Sequence, residues 1–221
     1  MRFNFKDHVN KSNRRGVEEK SRSQRRVKRA MKQSHLFDPK HIAVLESEDR
    51  RMWQSPDVIL SAVEVKPNFV VADLGCGSGY FTVPLAAKAK KVYGIDVQKE
   101  MIDFVREKIR RLKIKNVELL VSKPAEIPLE NESIDLLLTV NTLHEFDDRE
   151  RMIEEMKRVV KKGGKLLIVD FMKKETGFGP PVGIRVSRLR QSSFSRQKAL
   201  HLLRRGICPI ITCWYSLRVD V

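Results

Sequence analysis

The sequence predicts an α/β fold, a doubly wound, mostly parallel sheet with helices on both faces, and three observations carry that prediction. Short apolar runs alternate with helix-period segments from Phe69 to Phe171, as right-handed strand–helix–strand crossovers require. One run, Ile134–Val140, is mostly aliphatic, which suits a strand buried on both faces rather than one. Another, Phe69–Asp73, runs into "DLGCGSGYF", residues 73–81, where glycine recurs at every second position through Gly79. Glycine costs about 1 kcal/mol in regular structure relative to alanine, so three together mark a backbone that must turn sharply beyond a strand end.

Taken in order, residues 11–34 hold few apolar side chains and no aromatic one. They cannot bury a core, and 1–34 is expected to be a basic arm, disordered or frayed-helical. Two short helical patterns follow within 35–66. One passes through Ile42, Val44, Leu45, Met52 and Trp53; the other opens with Ser55 as N-cap and Pro56 at the first helical position. They are expected to cap the core, which spans 67–186. Its strands are Phe69–Asp73, Lys91–Asp96, Val117–Val121, Ile134–Val140 and Lys165–Phe171. Between them lie helices Tyr80–Lys88, Gln98–Leu112 (apolar face Met101, Ile102, Val105, Ile109, Leu112) and Asp147–Lys161. Gly163-Gly164 is expected to stop the last helix.

The chain's 221 residues and 41% hydrophobic content suit one such core with appendages. No apolar stretch approaches the roughly 20 residues of a membrane span, and Met1 to Asn10 is too charged for a secretory leader. Cys76, Cys208 and Cys213 have neither zinc spacing nor an even disulfide framework, so no metal is expected and a reducing cytoplasm is the expected location. The net charge of +16 is concentrated at the ends: residues 1–34 hold 12 basic and 3 acidic side chains, and 180–221 hold 8 and one, leaving 24 of each sign between. Basic ends around a neutral centre fit either contact with a polyanion such as RNA or a solvated surface.

The glycine loop and the acid that closes the next strand define a ligand class. In open parallel sheets ligands sit beyond the carboxyl ends of the strands, where strand order reverses. Asp96 stands 17 residues after Gly79, and a carboxylate there can accept two hydrogen bonds from a ribose diol. The loop reads G-x-G-x-G rather than the dinucleotide G-x-G-x-x-G, and Asp73 precedes it. That carboxylate would repel a pyrophosphate but can hold an amine. An adenosine bearing an ammonium and no phosphate, S-adenosylmethionine, is the expected ligand.

Here "VVADLGCGSGYFTVPLA", "KVYGIDVQKEMIDFVREK", "IPLENESIDLLLTVNTLHEF" and "VVKKGGKLLIVDFMKKETGFGPP" resemble the class I S-adenosylmethionine-dependent methyltransferases, particularly the branch of quinone-biosynthesis C-methyltransferases, over roughly 37–185. The resemblance implies a Rossmann-like methyltransferase fold in which Asp73 approaches the methionine amino group. Gly75, Cys76, Gly77 and Gly79 pass beneath the cofactor, and Asp96, with Val97 beside it, takes the ribose. Ala125 and Glu126 border the adenine, and Asn141 faces the methionine portion. Where many relatives carry an acid for the adenine amino group, this chain has Ser122-Lys123-Pro124, so that contact falls to backbone or to Ser122.

The sulfonium already activates the methyl group, so the protein chiefly aligns the reactants. His144, in "NTLHEF", is the expected general base if the acceptor must lose a proton; packing over the cofactor is its other role. Glu145 stands second, with an exposed helix-leading position as its alternative. Arg185 would face an anionic substrate or solvent, and Cys76 is expected to be a small filler. "NTLH" replaces the asparagine-proline-proline-aromatic signature of many nucleic-acid and protein amide methyltransferases. The first reading is therefore a small-molecule methyltransferase. The alternatives are an RNA methyltransferase using the basic arm, and a non-catalytic nucleic-acid-binding protein that keeps the cofactor site. In 187–221, a helix over Phe194–Leu203 and strands over Ile207–Thr212 and Trp214–Val219 are expected, packed less well than the core and leaving one sheet edge partly covered.

Overall fold

A computed structural model describes residues 36–176 and 179–186, and the backbone of 200–201 and 214–218. Seven strands form one sheet in the order β3-β2-β1-β4-β5-β7-β6. They are β1 (Val70–Leu74), β2 (Lys91–Asp96), β3 (Val117–Val121), β4 (Ile134–Val140), β5 (Val160–Val169), β6 (Leu200–His201) and β7 (Trp214–Arg218). The first five are parallel, and β7 joins β5 antiparallel, with Trp214 opposite Val169 and Arg218 opposite Lys165. The sheet is doubly wound as expected, and β1 is its switch point: β2 lies on one side and β4 on the other.

Period-two alternation explains why both faces are covered. Val71, Leu136, Leu138, Leu167 and Val169 point into a cluster with Ile59, Leu60, Phe81 and Leu85. Ala72, Leu137, Leu166 and Ile168 point the other way, onto Met152, Ile153, Met156 and Val159. Those last four line the helix Arg149–Val159 (α5), whose N-cap Asp148 accepts from the backbone of Arg151. Burial of these side chains stabilises the fold by about 1.5–3 kcal/mol each. The remaining helices are α1 (Glu48–Trp53), α2 (Pro56–Ser61), α3 (Thr82–Ala86) and α4 (Lys99–Arg111).

Several boundaries differ from expectation. The first capping pattern is two pieces, a 3-10 segment Pro39–Glu46 and α1, because Ser47 caps a new helix through its hydroxyl. Val44 and Met52 are exposed rather than core-facing. Strand β5 begins at Val160 with no gap after α5, and Gly163-Gly164 lies within it. The register passes from Ile134–Val160 to Leu136–Lys165, so residues 161–164 bulge out, with Gly163 at φ +73°. Leu200 and His201, expected within a helix Phe194–Leu203, pair with Leu217 and Ser216 as strand; the rest of that range lies outside the described residues. The strand expected over Trp214–Val219 is present as β7. The basic arm 1–34, the expected strand Ile207–Thr212, Cys208 and Cys213 lie outside the described residues.

Candidate active site

At the carboxyl end of β1 the chain leaves the sheet through residues 75–79. Gly75, Gly77 and Gly79 have φ of +73°, +52° and +75°, so the alternation in the sequence is an alternation of left-handed residues, each of which would cost another residue type roughly 1–2 kcal/mol. The loop is pinned to the end of β2, where the N–H groups of Gly75 and Cys76 both donate to Ile95 O at 2.8 and 3.0 Å. The neighbours differ from expectation. A Cβ on Gly75 would sit 2.3 Å from the Thr142 side chain, and one on Gly77 would lie 3.3 Å from Leu45. The glycines admit other parts of this chain, not a ligand alone. Cys76 packs with Ile102 and Val105, and burial pushes its thiol well above the usual range, which disfavours the thiolate.

Two acids flank this loop. Asp73 is buried, and its Oδ2 accepts from the Thr82 hydroxyl at 2.6 Å. The backbone N–H of Thr82 supports the same carboxylate. Desolvation lifts its pKa to about 6. Asp96, closing β2, accepts from Gly77 N–H on Oδ2 and from Gln98 N–H on Oδ1, both at 2.9 Å. The Val97 N–H supports the same carboxylate, and two carboxylate oxygens with about four acceptor sites keep capacity for a hydroxyl. Val97 lies between Asp96 and Gln98, partly buried. Beyond β3, Ser122 is buried with its N–H on Asp96 O. Ala125 sits at φ +55°, an unusual conformation for a residue with a side chain. Glu126 is half-exposed and 3.4 Å from Lys123.

The turn after β4 holds the second group. Asn141 adopts φ +56°, and a 3-10 turn, Leu143–Glu145, follows. His144 is buried; its Nδ1 lies 2.8 Å from Asp170 Oδ1, and its backbone N–H donates to Asp170 Oδ2 at 3.1 Å. Asp170 follows β5 and also accepts from Phe171 N–H. A carboxylate only accepts, so Nδ1 carries a proton, and the neutral tautomer consistent with this contact has Nε2 bare. Glu145 Oε1 stands 3.9 Å from that Nε2. Its side chain is 15% exposed, not on the surface as expected, and burial raises its pKa to about 7. Asp96 and Asp170 add to the rise and His144 opposes it. Arg149 fixes the turn by donating to His144 O and Ile184 O.

The segment before the core completes the site. Gln54 and Asn141 exchange side-chain hydrogen bonds of 3.1 and 2.9 Å, so Asn141 is held by the capping helices as well as by its strand. Arg50, buried beside them, donates from Nε to Gln54 Oε1 and from Nη1 to Leu45 O, and its guanidinium carbon lies 4.2 Å from the centroid of the Tyr80 ring. Arg185, expected to face an anionic substrate or solvent, does neither. It is buried over Phe171, and it donates to Pro180 O, Lys174 O and the Thr176 hydroxyl. Sequence reasoning missed Arg50, Gln54 and Asp170. The signal that selected Asp96, an acid closing an apolar strand, also marks Asp170. Nothing distinguishes Arg50 among the basic residues around it. Among the described residues no cluster of His, Cys, Asp and Glu is arranged to hold a metal, and no helix is long and apolar enough to cross a membrane.

The chain has known relatives. A family pattern described as a methyltransferase domain matches residues 72–168. The chain is 29% identical over 131 residues to a demethylmenaquinone methyltransferase of Bacillus mycoides, covering 58% of this chain and 54% of that protein; the chain thus spans about half the length of the curated relatives it matches. Among solved structures, a SAM dependent methyltransferase from Aquifex aeolicus superposes with a TM-score of 0.65 at 36% identity, covering 69% of this chain and 82% of that one. The [4+2]-cyclase SpnF superposes at 0.56 with 23% identity over 63% of this chain and 54% of its own, which shows the fold alone.

Proposed function

The chain belongs to the class I S-adenosylmethionine-dependent methyltransferases, and we propose that it methylates a small molecule, of the quinol class, with His144 as general base. The observation that carries the chemistry is the buried His144–Asp170 pair, His144 in the turn after β4 and Asp170 just after β5. The acceptor class is supported by the relatives that act, by name, on demethylmenaquinone. S-adenosylmethionine, when bound, supplies a methyl group made electrophilic by its sulfonium.

The residues present fit that cofactor. Asp96 keeps acceptor capacity toward a ribose, and the carboxylate of Asp73 suits the amino group. Asp73, Gly75, Cys76, Gly77, Gly79, Asp96 and Val97 would line the adenosine and methionine, with Ala125, Glu126 and Ser122 toward the adenine. His144 Nε2 takes the proton of the acceptor hydroxyl, and Asp170 holds the ring by Nδ1 and stabilises the imidazolium. Glu145, poised near neutrality beside Nε2, passes that proton outward.

The test is incubation of the protein with methyl-labelled S-adenosylmethionine and cell extract, followed by separation into lipid-soluble small molecules, protein and RNA. Label in the small-molecule fraction is expected. Label confined to RNA would replace the acceptor class, and no label in any fraction would contradict an active enzyme.

A further inference from the structure

A dense positive charge stands at the end of the sheet away from the crevice. Strands β3, β2 and β1 are neighbours, and the segments that lead into them are 110–116, 87–91 and 64–69. Together these carry eight basic side chains and one acid, Glu64. Few of the charges are answered. Lys91 pairs with Glu118 at 2.8 Å, Arg110 with Glu107 at 2.7 Å, and Glu64 itself faces Lys165 at 3.8 Å. Lys66, Lys88, Lys90, Arg111, Lys113 and Lys115 are all exposed and form no ion pair among the described residues.

The fold draws these side chains together. The N–H groups of Lys90 and Lys91 donate to Phe69 O, and that of Val92 donates to Asn116 O. The Asn116 amide donates to Ala86 O and Ala89 O at 2.8 and 3.1 Å, which ties the turn before β3 to the turn before β2. The registers Val70–Lys91 and Val92–Val117, carried back by one and two residues, set Phe69, Lys90 and Lys115 in a row across strands about 4.8 Å apart. Helix ends explain only part of the charge. Arg110 and Arg111 close α4, where cations complement the helix dipole. Lys66, Lys90 and Lys115 lie outside every helix, and like charges so crowded repel one another unless an anion is bound.

We propose that this end of the sheet binds the phosphate backbone of a nucleic acid, as a docking partner and not as the methyl acceptor. The patch offers lysine and arginine charges from three adjacent segments and no exposed aromatic side chain on which a base could stack, so it holds phosphates without reading sequence. The other end of the strands carries Asp73, Asp96 and Asp170, which turn a polyanion away from the crevice and toward the amino end. A lipid surface fits this end less well. Strands of five and six residues hold the crevice about 17–20 Å from anything docked there, out of reach of a lipid-soluble acceptor.

The test is binding of a fluorescein-labelled single-stranded RNA of mixed sequence, measured across a salt series with the full chain. Wild type is compared with a variant combining Lys66→Gln, Lys90→Gln and Lys115→Gln. A control combines Lys40→Gln, Lys173→Gln and Lys174→Gln, exposed lysines outside the patch with the same total charge. The logarithm of affinity should fall linearly with the logarithm of salt in wild type. Each lost phosphate contact flattens that slope by about 0.7, so the patch variant should flatten it by about 2 while the control leaves it unchanged. Arginine at the same three positions should keep the wild-type slope. Should the triple variant not fold, each single substitution is expected to flatten the slope by about 0.7. An unchanged slope in the patch variant, the result if the basic residues 1–34 alone hold RNA, overturns the proposal. Equal changes in patch and control variants also overturn it, since they report net charge only. So does a wild type that sediments with phosphatidylglycerol vesicles and does not bind RNA.

Discussion

His144 and Asp170 are joined twice, through the ring Nδ1 at 2.8 Å and the backbone N–H at 3.1 Å, so one carboxylate fixes both the place and the tautomer of the imidazole. Asp170→Asn keeps an acceptor for the backbone but can present an amide hydrogen to Nδ1, which would move the ring proton to Nε2. The turnover number should fall by about 100-fold or more, and the limb of the pH–rate profile that reports the base should shift. Affinity for S-adenosylhomocysteine should stay the same. Equal losses in both would mean that Asp170 only supports the fold.

Glu145 makes stability depend on pH. Its pKa is raised by burial to about 7 in the fold, from an ordinary value of 4.5. Between those values the unfolded chain is ionised while the folded one keeps its proton, so stability from this group falls as pH rises from about 4.5 to about 7, then levels off. The cost at pH 8 is on the order of 3 kcal/mol. Glu145→Gln should therefore melt higher than wild type at pH 8 and equally at pH 4. A variant less stable at pH 8 would show that the ionised carboxylate is favourably held.

Gly75 is required twice over, by its φ of +73° and by Thr142, which a Cβ would meet at 2.3 Å. Gly75→Ala should cost more than the roughly 1–2 kcal/mol of the left-handed backbone alone. Adding Thr142→Gly should recover the collision and leave only the backbone cost. Denaturant melts of the two single variants and the double one measure this directly. Strict additivity would mean that the two residues do not press on each other.

Which parts of this molecule were legible in its sequence follows from the range of the forces involved. The five parallel strands follow from apolar runs because burial on both faces leaves no polar position to disguise them. Asp96 and Asp73 are legible because each ends such a run. Gly163-Gly164 misleads, since a glycine pair stops a helix as readily as it permits a bulge, and only pairing with Ile134 decides. Arg50 is out of reach of pattern. It is held by Gln54 and Tyr80, and Gln54 in turn by Asn141, 91 positions from Arg50 in the chain, while its neighbours in the sequence are simply charged. Glu145 reads as a surface acid for the same reason, because what buries it comes from other elements.

The most direct test of the central claim, that the loop after β1 and the acid ending β2 form an S-adenosyl site, is calorimetric titration of S-adenosylhomocysteine into wild type and Asp96→Ala, with NAD as control. Asp96 keeps acceptor capacity beyond its bonds to Gly77, Gln98 and Val97. Wild type should bind S-adenosylhomocysteine and not NAD, and Asp96→Ala should bind it about 10- to 150-fold more weakly, the loss of about 1.5–3 kcal/mol in hydrogen bonding to the ribose. Unchanged affinity in Asp96→Ala, or binding of NAD in place of S-adenosylhomocysteine, would contradict the account.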